Sequence, residues 1–387
     1  MENIHNFRSN NLQLKGTLFL SVVTLWPYFG YYGEIYFKIS SLILTLFAFL
    51  FLDTKDFKIN IQILFLLIII FIFGQLLYGI DLGSLREVLR ILLLIIGFYI
   101  GVNKIEGVPF SFLVITISAI FFLSIALHPN VAFLSNIFAS TPEFNHSYHY
   151  YRSIIPGGLP ATSGYMLAII LIWGYINLKM QKISLPYFLL MQLLIVVMMF
   201  FTQSRLPLIL AMTLIIFLPI IIGLRKLQAL KLYIFYFAVF ILLYSFNLIS
   251  LFDLNFDKIG SLDTAQIRIE NIFKTFALLN EEFYRVFPGC LFVRECHFTG
   301  DQFSITPDGG ILYILMNWGV PLTLIFLTFL LISSLKGILK EKWSFVFLVG
   351  LFSVLSLFDP FFLDPKLGLL ASVTLGYLYR KGSLINV

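Results

Sequence analysis

The chain is dominated by apolar segments that follow one another with short polar connections between most of them. About twenty apolar residues in a helix cross the hydrocarbon core of a bilayer, so this succession restricts the fold more than any other feature. We count twelve segments: 16–32, 35–52, 59–79, 85–102, 108–127, 161–178, 183–201, 206–223, 230–250, 308–335, 343–358 and 367–380. They predict an all-α, polytopic membrane helix bundle with about 12 transmembrane helices. Eleven spans stay open, because Pro27 weakens the first segment and the last one is short.

The composition argues against a water-soluble protein. Hydrophobic residues make up 59% of the chain and charged residues 12%, whereas soluble domains lie near half and a quarter. We therefore expect a single integral membrane domain over residues 1–387. A cleavable signal peptide is not expected, since Met1–Lys15 is polar and the first apolar segment leads into further ones.

The distribution of positive charge predicts the orientation. With the N-terminus in the cytoplasm, the inner connections carry 15 of the 26 Lys and Arg residues, and 11 lie on the outer side. Five of those 11 fall in one long loop, which the positive-inside rule discounts. The short connections are therefore more positive on the inner side, which predicts that both termini are cytoplasmic.

Two outer connections are long, 128–160 and 251–307, and long loops in compact proteins are usually functional. In the second, apolar residues recur at helical spacing over 264–287, which predicts an amphipathic helix at the membrane–water boundary. Cys290 and Cys296 also lie in this loop. A disulfide between them is permitted if the loop faces the periplasm, and the question stays open.

The arginines are concentrated on the predicted outer side. Arg accounts for 7 of the 11 outer cations but only 3 of the 15 inner ones. A guanidinium group contacts phosphate in a bidentate manner, which an ammonium group cannot do. This bias suggests a bound polyanion at the outer leaflet, of which the pyrophosphate of a lipid carrier is the simplest. The alternative is that individual arginines contact lipid headgroups.

The stretch "FFTQSRLPLILAM" places Arg205 at the tip of a short turn between two apolar segments. A residue held so closely can be aimed at a phosphate at membrane depth, and the hydroxyls of Thr202 and Ser204 could add donors. The alternative interpretation is a snorkelling arginine at the end of a hairpin. Both interpretations stay open from the spacing alone.

Four stretches in one order resemble the O-antigen ligase and O-antigen polymerase superfamily. "FTQSRLPLIL" resembles its Thr-x-Ser-Arg motif, and "YYRSIIPGGLPATSGYMLA" resembles its first periplasmic arginine motif. "DTAQIRIENIFKTFALLNEEFYRVFPGC" resembles its arginine-bearing helix, and "TPDGGILYILMNWGVPLTL" its re-entry into the membrane. The resemblance covers about 150–335 and is nearest to the Wzy-type O-antigen polymerase. It implies lipopolysaccharide biosynthesis at the bacterial inner membrane.

This sequence departs from the ligase pattern at one point, and that point distinguishes the two branches of the superfamily. In ligases the last stretch typically opens with His-Asn, whereas here it opens with Asp308, followed by two glycines. The chain therefore resembles a polymerase more than a ligase, which would transfer finished polymer to lipid A–core. The departure leaves the identity of a general base open.

The resemblance implies a glycosyltransferase that needs no metal or other cofactor. Its substrates would be undecaprenyl-pyrophosphate-linked oligosaccharides, its other partners membrane lipids and a chain-length regulator, and it would bind no nucleic acid. Arginines would offset the charge on the leaving pyrophosphate. Arg205 and Arg152 are the candidates for the donor pyrophosphate, Arg268 for the acceptor, and Arg285 and Arg294 are further candidates.

The candidate bases for the acceptor hydroxyl are Asp308 and His297, with His149 and His146 as further histidines in outer loops. Asp308 lies directly before an apolar segment, so it is equally a candidate helix N-cap. The segment that it opens contains Gly319 and Pro321, which predict a kink.

The alternative from another class is a polysaccharide flippase or transporter. Such proteins usually carry ionisable residues near the centres of their spans and often have internal repeats. Neither feature is visible here, and the candidate residues lie toward one predicted face. This favours a transferase.

Overall fold

The computed structural model describes residues 2–26, 34–51, 82–127, 160–202, 204–245, 270, 273, 277, 310–357, 359 and 361–381. These residues are helical apart from short turns, and no strand occurs among them. The prediction of an all-α chain is confirmed for this part of the sequence.

Eleven α-helices are present within the described ranges. They are α1 Glu2–Leu25, α2 Glu34–Leu50, α3 Leu82–Asn103, α4 Phe110–Leu127, α5 Pro160–Lys179, α6 Leu185–Thr202, α7 Arg205–Ile221, α8 Lys226–Ser245, α9 Gly310–Leu339, α10 Trp343–Leu355 and α11 Pro365–Lys381. A 3-10 turn, Phe361–Leu363, precedes α11. The ends of most helices fall within a few residues of the predicted segments, because apolar runs end where charged residues, Gly and Pro begin.

The largest difference concerns α1, which begins at Glu2 although the apolar segment begins at 16. Hydropathy marks only the apolar part of a helix, and the polar residues before it continue the same helix. The helix ends at Leu25, two residues ahead of Pro27. Proline disfavours helical geometry in the residue before it, so the helix ends earlier than the predicted 32.

Two of the helices are long and apolar enough to cross a membrane, Ala161–Lys179 and Trp318–Leu339. The apolar window of the first is 94% buried within the protein, and that of the second is 12% buried. Six further apolar helical stretches in the described ranges are shorter, at 10–17 residues. The predicted segment 59–79 lies outside the described residues.

The chain divides into two compact units. Unit 1 comprises 1–40, 101–260 and 376–387, and unit 2 comprises 41–100 and 261–375.

Helix α5 forms the core of unit 1, where it packs against α4, α6 and α7. Its side chains Tyr165, Trp173 and Tyr175 are fully buried. Gly174 allows the closest approach, because a Cβ atom there would lie 2.6 Å from the Phe110 ring and 2.8 Å from the Phe188 ring. The rings of α4 and α6 thus occupy the space that a side chain on α5 would fill.

A buried polar network joins three helices of unit 1. The Tyr175 hydroxyl lies 2.9 Å from the Tyr236 hydroxyl and accepts a hydrogen bond of 3.1 Å from Gln192 Nε2. In an apolar environment each such group is costly unless it is bonded, so the network favours one arrangement of α5, α6 and α8.

The described core of unit 2 brings α9 together with α3 and the 3-10 turn. Ile314, Trp318 and Leu363 are buried together, and Phe326 stacks on Phe362 with ring centroids 6.1 Å apart. Gly368 in the first part of α11 permits a close chain approach, since a Cβ there would lie 2.2 Å from the Phe362 carbonyl oxygen.

The predicted kink in α9 is confirmed at Gly319. Its φ of 76° and ψ of 171° are non-helical, and Pro321 follows within the same helix. Glycine alone adopts this backbone region without strain, and proline removes one helical hydrogen bond. The Thr323 hydroxyl donates to the Gly319 carbonyl oxygen at 2.7 Å, which satisfies an acceptor at the kink.

The two long predicted loops lie almost wholly outside the described residues, as do Cys290 and Cys296. Within the predicted amphipathic helix 264–287, Glu270, Phe273 and Ala277 are described, and all three are helical and exposed. The Phe273 side chain is 68% exposed.

Candidate functional site

The turn between α6 and α7 is short. Helix α6 ends at Thr202 and α7 begins at Arg205. Ser204 is the N-cap residue, with an extended backbone and no side-chain cap hydrogen bond. Its carbonyl oxygen accepts the first helical bond, 3.2 Å from the Leu208 nitrogen. Arg205 is therefore the first residue of a helix, where the backbone carries partial positive charge.

The two hydroxyls of this turn point their hydrogens at the backbone. Thr202 Oγ1 donates to the Met199 carbonyl oxygen at 2.7 Å, and Ser204 Oγ donates to the Thr202 carbonyl oxygen at 3.3 Å. Thr202 is 0% exposed and Ser204 is 6% exposed. Each hydroxyl has one hydrogen, and in this arrangement it bonds to the backbone; a role for either hydroxyl as a phosphate donor stays a prediction.

The first turn of α5 packs against this hairpin. Thr162 and Ser163 are buried there, and Gly164 faces Pro207 of α7, where a Cβ atom would lie 2.7 Å from the Pro207 Cβ. The α5–α7 contact is the most extensive between helices in the described part of the chain. Unit 1 therefore brings together the helical parts of two motifs that the sequence singled out, "PATSGY" and "TQSRLP".

The other predicted site residues fall outside the described residues. They are Arg152, Arg268, Arg285, Arg294, His297 and Asp308, together with His146, His149 and the side chain of Arg205. Helix α9 begins at Gly310, two residues after Asp308. The roles predicted for these residues stay predictions.

The local chemistry of the described hairpin favours binding of an anion. The first turn of α7 offers the backbone N–H groups of Arg205 and Leu206, while Pro207 has none, and the sequence adds a guanidinium group at the first position. Among the described residues, no group of three His, Cys, Asp or Glu side chains is placed to hold a metal ion.

Sequence reasoning missed Lys366, in the connection ahead of the predicted span 367–380. Its side chain is 0% exposed. The Asp364 carboxylate caps α11, since its Oδ1 accepts from the backbone nitrogens of Lys366 and Leu367, each at 3.0 Å. Burial lowers the pKa of the Lys366 ammonium group from 10.5 to about 7, and the Asp364 charge opposes that shift. The available signal was a single lysine in the largely apolar stretch "PFFLDPKLGLL".

The lowered pKa predicts a pH-dependent stability. Between pH 7 and 10.5 the unfolded chain holds the proton on Lys366 and the folded chain does not, so stability should rise with pH across that window. The rise should be up to about 1.4 kcal/mol per pH unit. We expect the melting temperature of the purified protein to increase from pH 7 to pH 10, and Lys366→Met to lack this part of the increase. The exposed Lys226→Met is the matched control, and equal pH profiles for the three proteins would contradict the prediction.

No protein-family model, curated protein or solved structure matches this chain.

Proposed function

We propose that this chain is an O-antigen polymerase of the O-antigen ligase and polymerase superfamily. The observation that carries the proposal is the packing of the "TQSRLP" hairpin on the first turn of α5. Two motifs that resemble that superfamily, some forty residues apart in sequence, have their helical parts in contact within one compact unit. Contact between them is expected if their arginines act on one substrate.

The membrane assignment is the second part of the proposal. Twelve spans with both termini in the cytoplasm would place the two long loops and the Arg205 turn in the periplasm. Helix α9 exposes several large apolar side chains, among them Ile325, Leu331 and Leu339. These side chains support contact with lipid, because a continuous exposed apolar surface is unfavourable in water. The bias of Arg toward the predicted outer side agrees with a phosphate-bearing substrate there.

In the reaction, a hydroxyl of the acceptor repeat unit attacks the anomeric carbon of the donor glycan. A carbon–oxygen bond forms, the bond from that carbon to the pyrophosphate oxygen breaks, and undecaprenyl pyrophosphate leaves. The hydroxyl proton passes to a base, for which Asp308 and His297 are the candidates. Arg205 and Arg152 would offset the charge on the departing pyrophosphate.

The remaining arginines are assigned by the same chemistry. Arg268 would contact the acceptor pyrophosphate, and Arg285 and Arg294 are further phosphate contacts in the same loop. The pyrophosphate is already a good leaving group when its charge is met, so these contacts can do the work of a general acid.

One observation favours the second candidate, transport of a lipid-linked repeat unit across the membrane. Lys366 is a fully buried ionisable residue beside a predicted span, and transport pathways contain such residues. The polymerase and the flippase predict different products in a strain that lacks the gene, so one experiment separates them.

The test is deletion of the gene, followed by gel analysis of the surface polysaccharide and of the carrier-linked pool. For a polymerase we expect caps of a single repeat unit, and restoration of long chains by the wild-type gene on a plasmid. Loss of the carrier-linked repeat from the outer leaflet would indicate a flippase instead. Carrier-linked polymer that never reaches lipid A–core would indicate a ligase.

A further inference from the structure

From the packing of α5 on α7, we infer that Gly164 is a positioning residue for Arg205. Because Gly164 has no side chain, the first turn of α7 can pack directly against α5, and this contact fixes where α7 begins. The inference rests on the proposed function, because it assigns Gly164 a role only if Arg205 contacts the substrate. Nothing in the sequence motifs distinguishes Gly164 from the other small residues of "ATSG".

The contact at Gly164 is closer than any side chain would allow. A Cβ atom there would lie 2.7 Å from Pro207 Cβ, 3.0 Å from Pro207 Cγ and 3.4 Å from Thr202 Oγ1. Distances of 3.4–4 Å are ordinary contacts. An alanine at this position would therefore require Pro207 Cβ to move by about 0.7 Å relative to α5.

Pro207 cannot absorb that movement locally. Its Cβ is bonded directly to Cα within a ring that fixes φ, so a displacement of the Cβ moves the backbone of the helix turn. Pro207 is the third residue of α7, and Arg205 is the first. The turn before it is also packed, since Thr202 and Ser204 are both buried. The shift is thus transmitted to Arg205 rather than lost at the surface.

A displacement of this size matters for a residue that aligns a reacting group. Misplacement by about 1 Å can reduce a rate roughly 100-fold. We expect Gly164→Ala to lower the rate of polymer formation per folded protein roughly 10- to 100-fold. The assay uses the full-length protein in proteoliposomes with a lipid-linked repeat unit as substrate.

Two glycine variants serve as matched controls. Gly174→Ala lies on the same helix, and its Cβ would meet the rings of Phe110 and Phe188 at 2.6–2.8 Å. Those rings are far from the α6–α7 turn, about fifteen ångströms along the helix, so this variant should lose stability but keep its rate per folded molecule. Gly350→Ala has no atom within 4 Å of the added Cβ and should behave as the wild type.

A double variant separates positioning from general damage. If Gly164 acts through Arg205, then Gly164→Ala should have no further effect on kcat in an Arg205→Lys background, because the shared interaction is already lost. Pro207→Gly removes both close atoms and should restore most of the rate to Gly164→Ala. Equal losses in Gly164→Ala and Gly174→Ala, or additive effects with Arg205→Lys, would overturn the inference.

The outcomes also distinguish this inference from the proposed function. If Arg205→Lys is inactive and Gly164→Ala has the wild-type rate, the inference fails and the function stands. If Arg205→Lys has the wild-type rate, the pyrophosphate role of Arg205 fails, and the role of Gly164 fails with it.

Discussion

Arg205→Lys is expected to lose most polymer formation while the protein remains at its normal level in the membrane. Lysine keeps the positive charge at the start of α7 but cannot form the two parallel hydrogen bonds of a guanidinium group to phosphate. Loss of one charge-assisted hydrogen bond corresponds to roughly 10- to 100-fold in rate. The measurement is the chain-length distribution of surface polysaccharide in a deletion strain that carries the variant gene.

The matched control is Arg225→Lys, because Arg225 is exposed in the connection between α7 and α8. It should give wild-type chain lengths. If Arg205→Lys also does so at an equal membrane level, Arg205 is a snorkelling residue at a hairpin, and the phosphate role is wrong.

Asp308→Asn is expected to abolish polymerisation. Asparagine has a similar shape but cannot accept a proton at neutral pH, so a base at this position would be lost. If Asp308 serves only to cap the first turn of α9, which begins two residues later at Gly310, Asn replaces it almost equally well and activity survives. The measurement is polymer formation in proteoliposomes, with the melting temperature recorded on the same preparation.

Asp308→Ala completes the comparison. For a base, Asp308→Asn and Asp308→Ala should both be inactive. For a cap, only Asp308→Ala should be affected, through a loss of about 1 kcal/mol of stability. Wild-type activity in Asp308→Asn would end the base hypothesis and make His297→Ala the next variant to measure.

Sequence and structure agree on the helices because hydropathy and breaker residues act locally. The α9 kink is an example: Gly319 tolerates a backbone that other residues do not, and Pro321 removes a helical hydrogen bond. Both properties belong to the residues themselves, so they can be recognised without knowing any neighbour. The predicted end of α1 was wrong, because the apolar run continues to residue 32 whereas the helix ends before Pro27.

The candidate site was predictable only in part. The position of Arg205 in a short turn follows from the apolar segments on both sides. The direction of the Thr202 and Ser204 hydroxyls could not be predicted from the sequence, because a hydroxyl next to an arginine is as compatible with a ligand contact as with a backbone contact. In the folded chain the nearest acceptors are backbone carbonyl oxygens of the same turn.

The helical fold, the positions of most helix ends and the kink depend on residues adjacent in the chain, so local patterns predict them. The contact between Gly164 and Pro207 and the complete burial of Lys366 arise only in the folded chain. The first depends on how closely two helices approach, and the second on how completely the folded chain covers one side chain. Both are set by packing between segments that are distant in sequence, which no local pattern specifies.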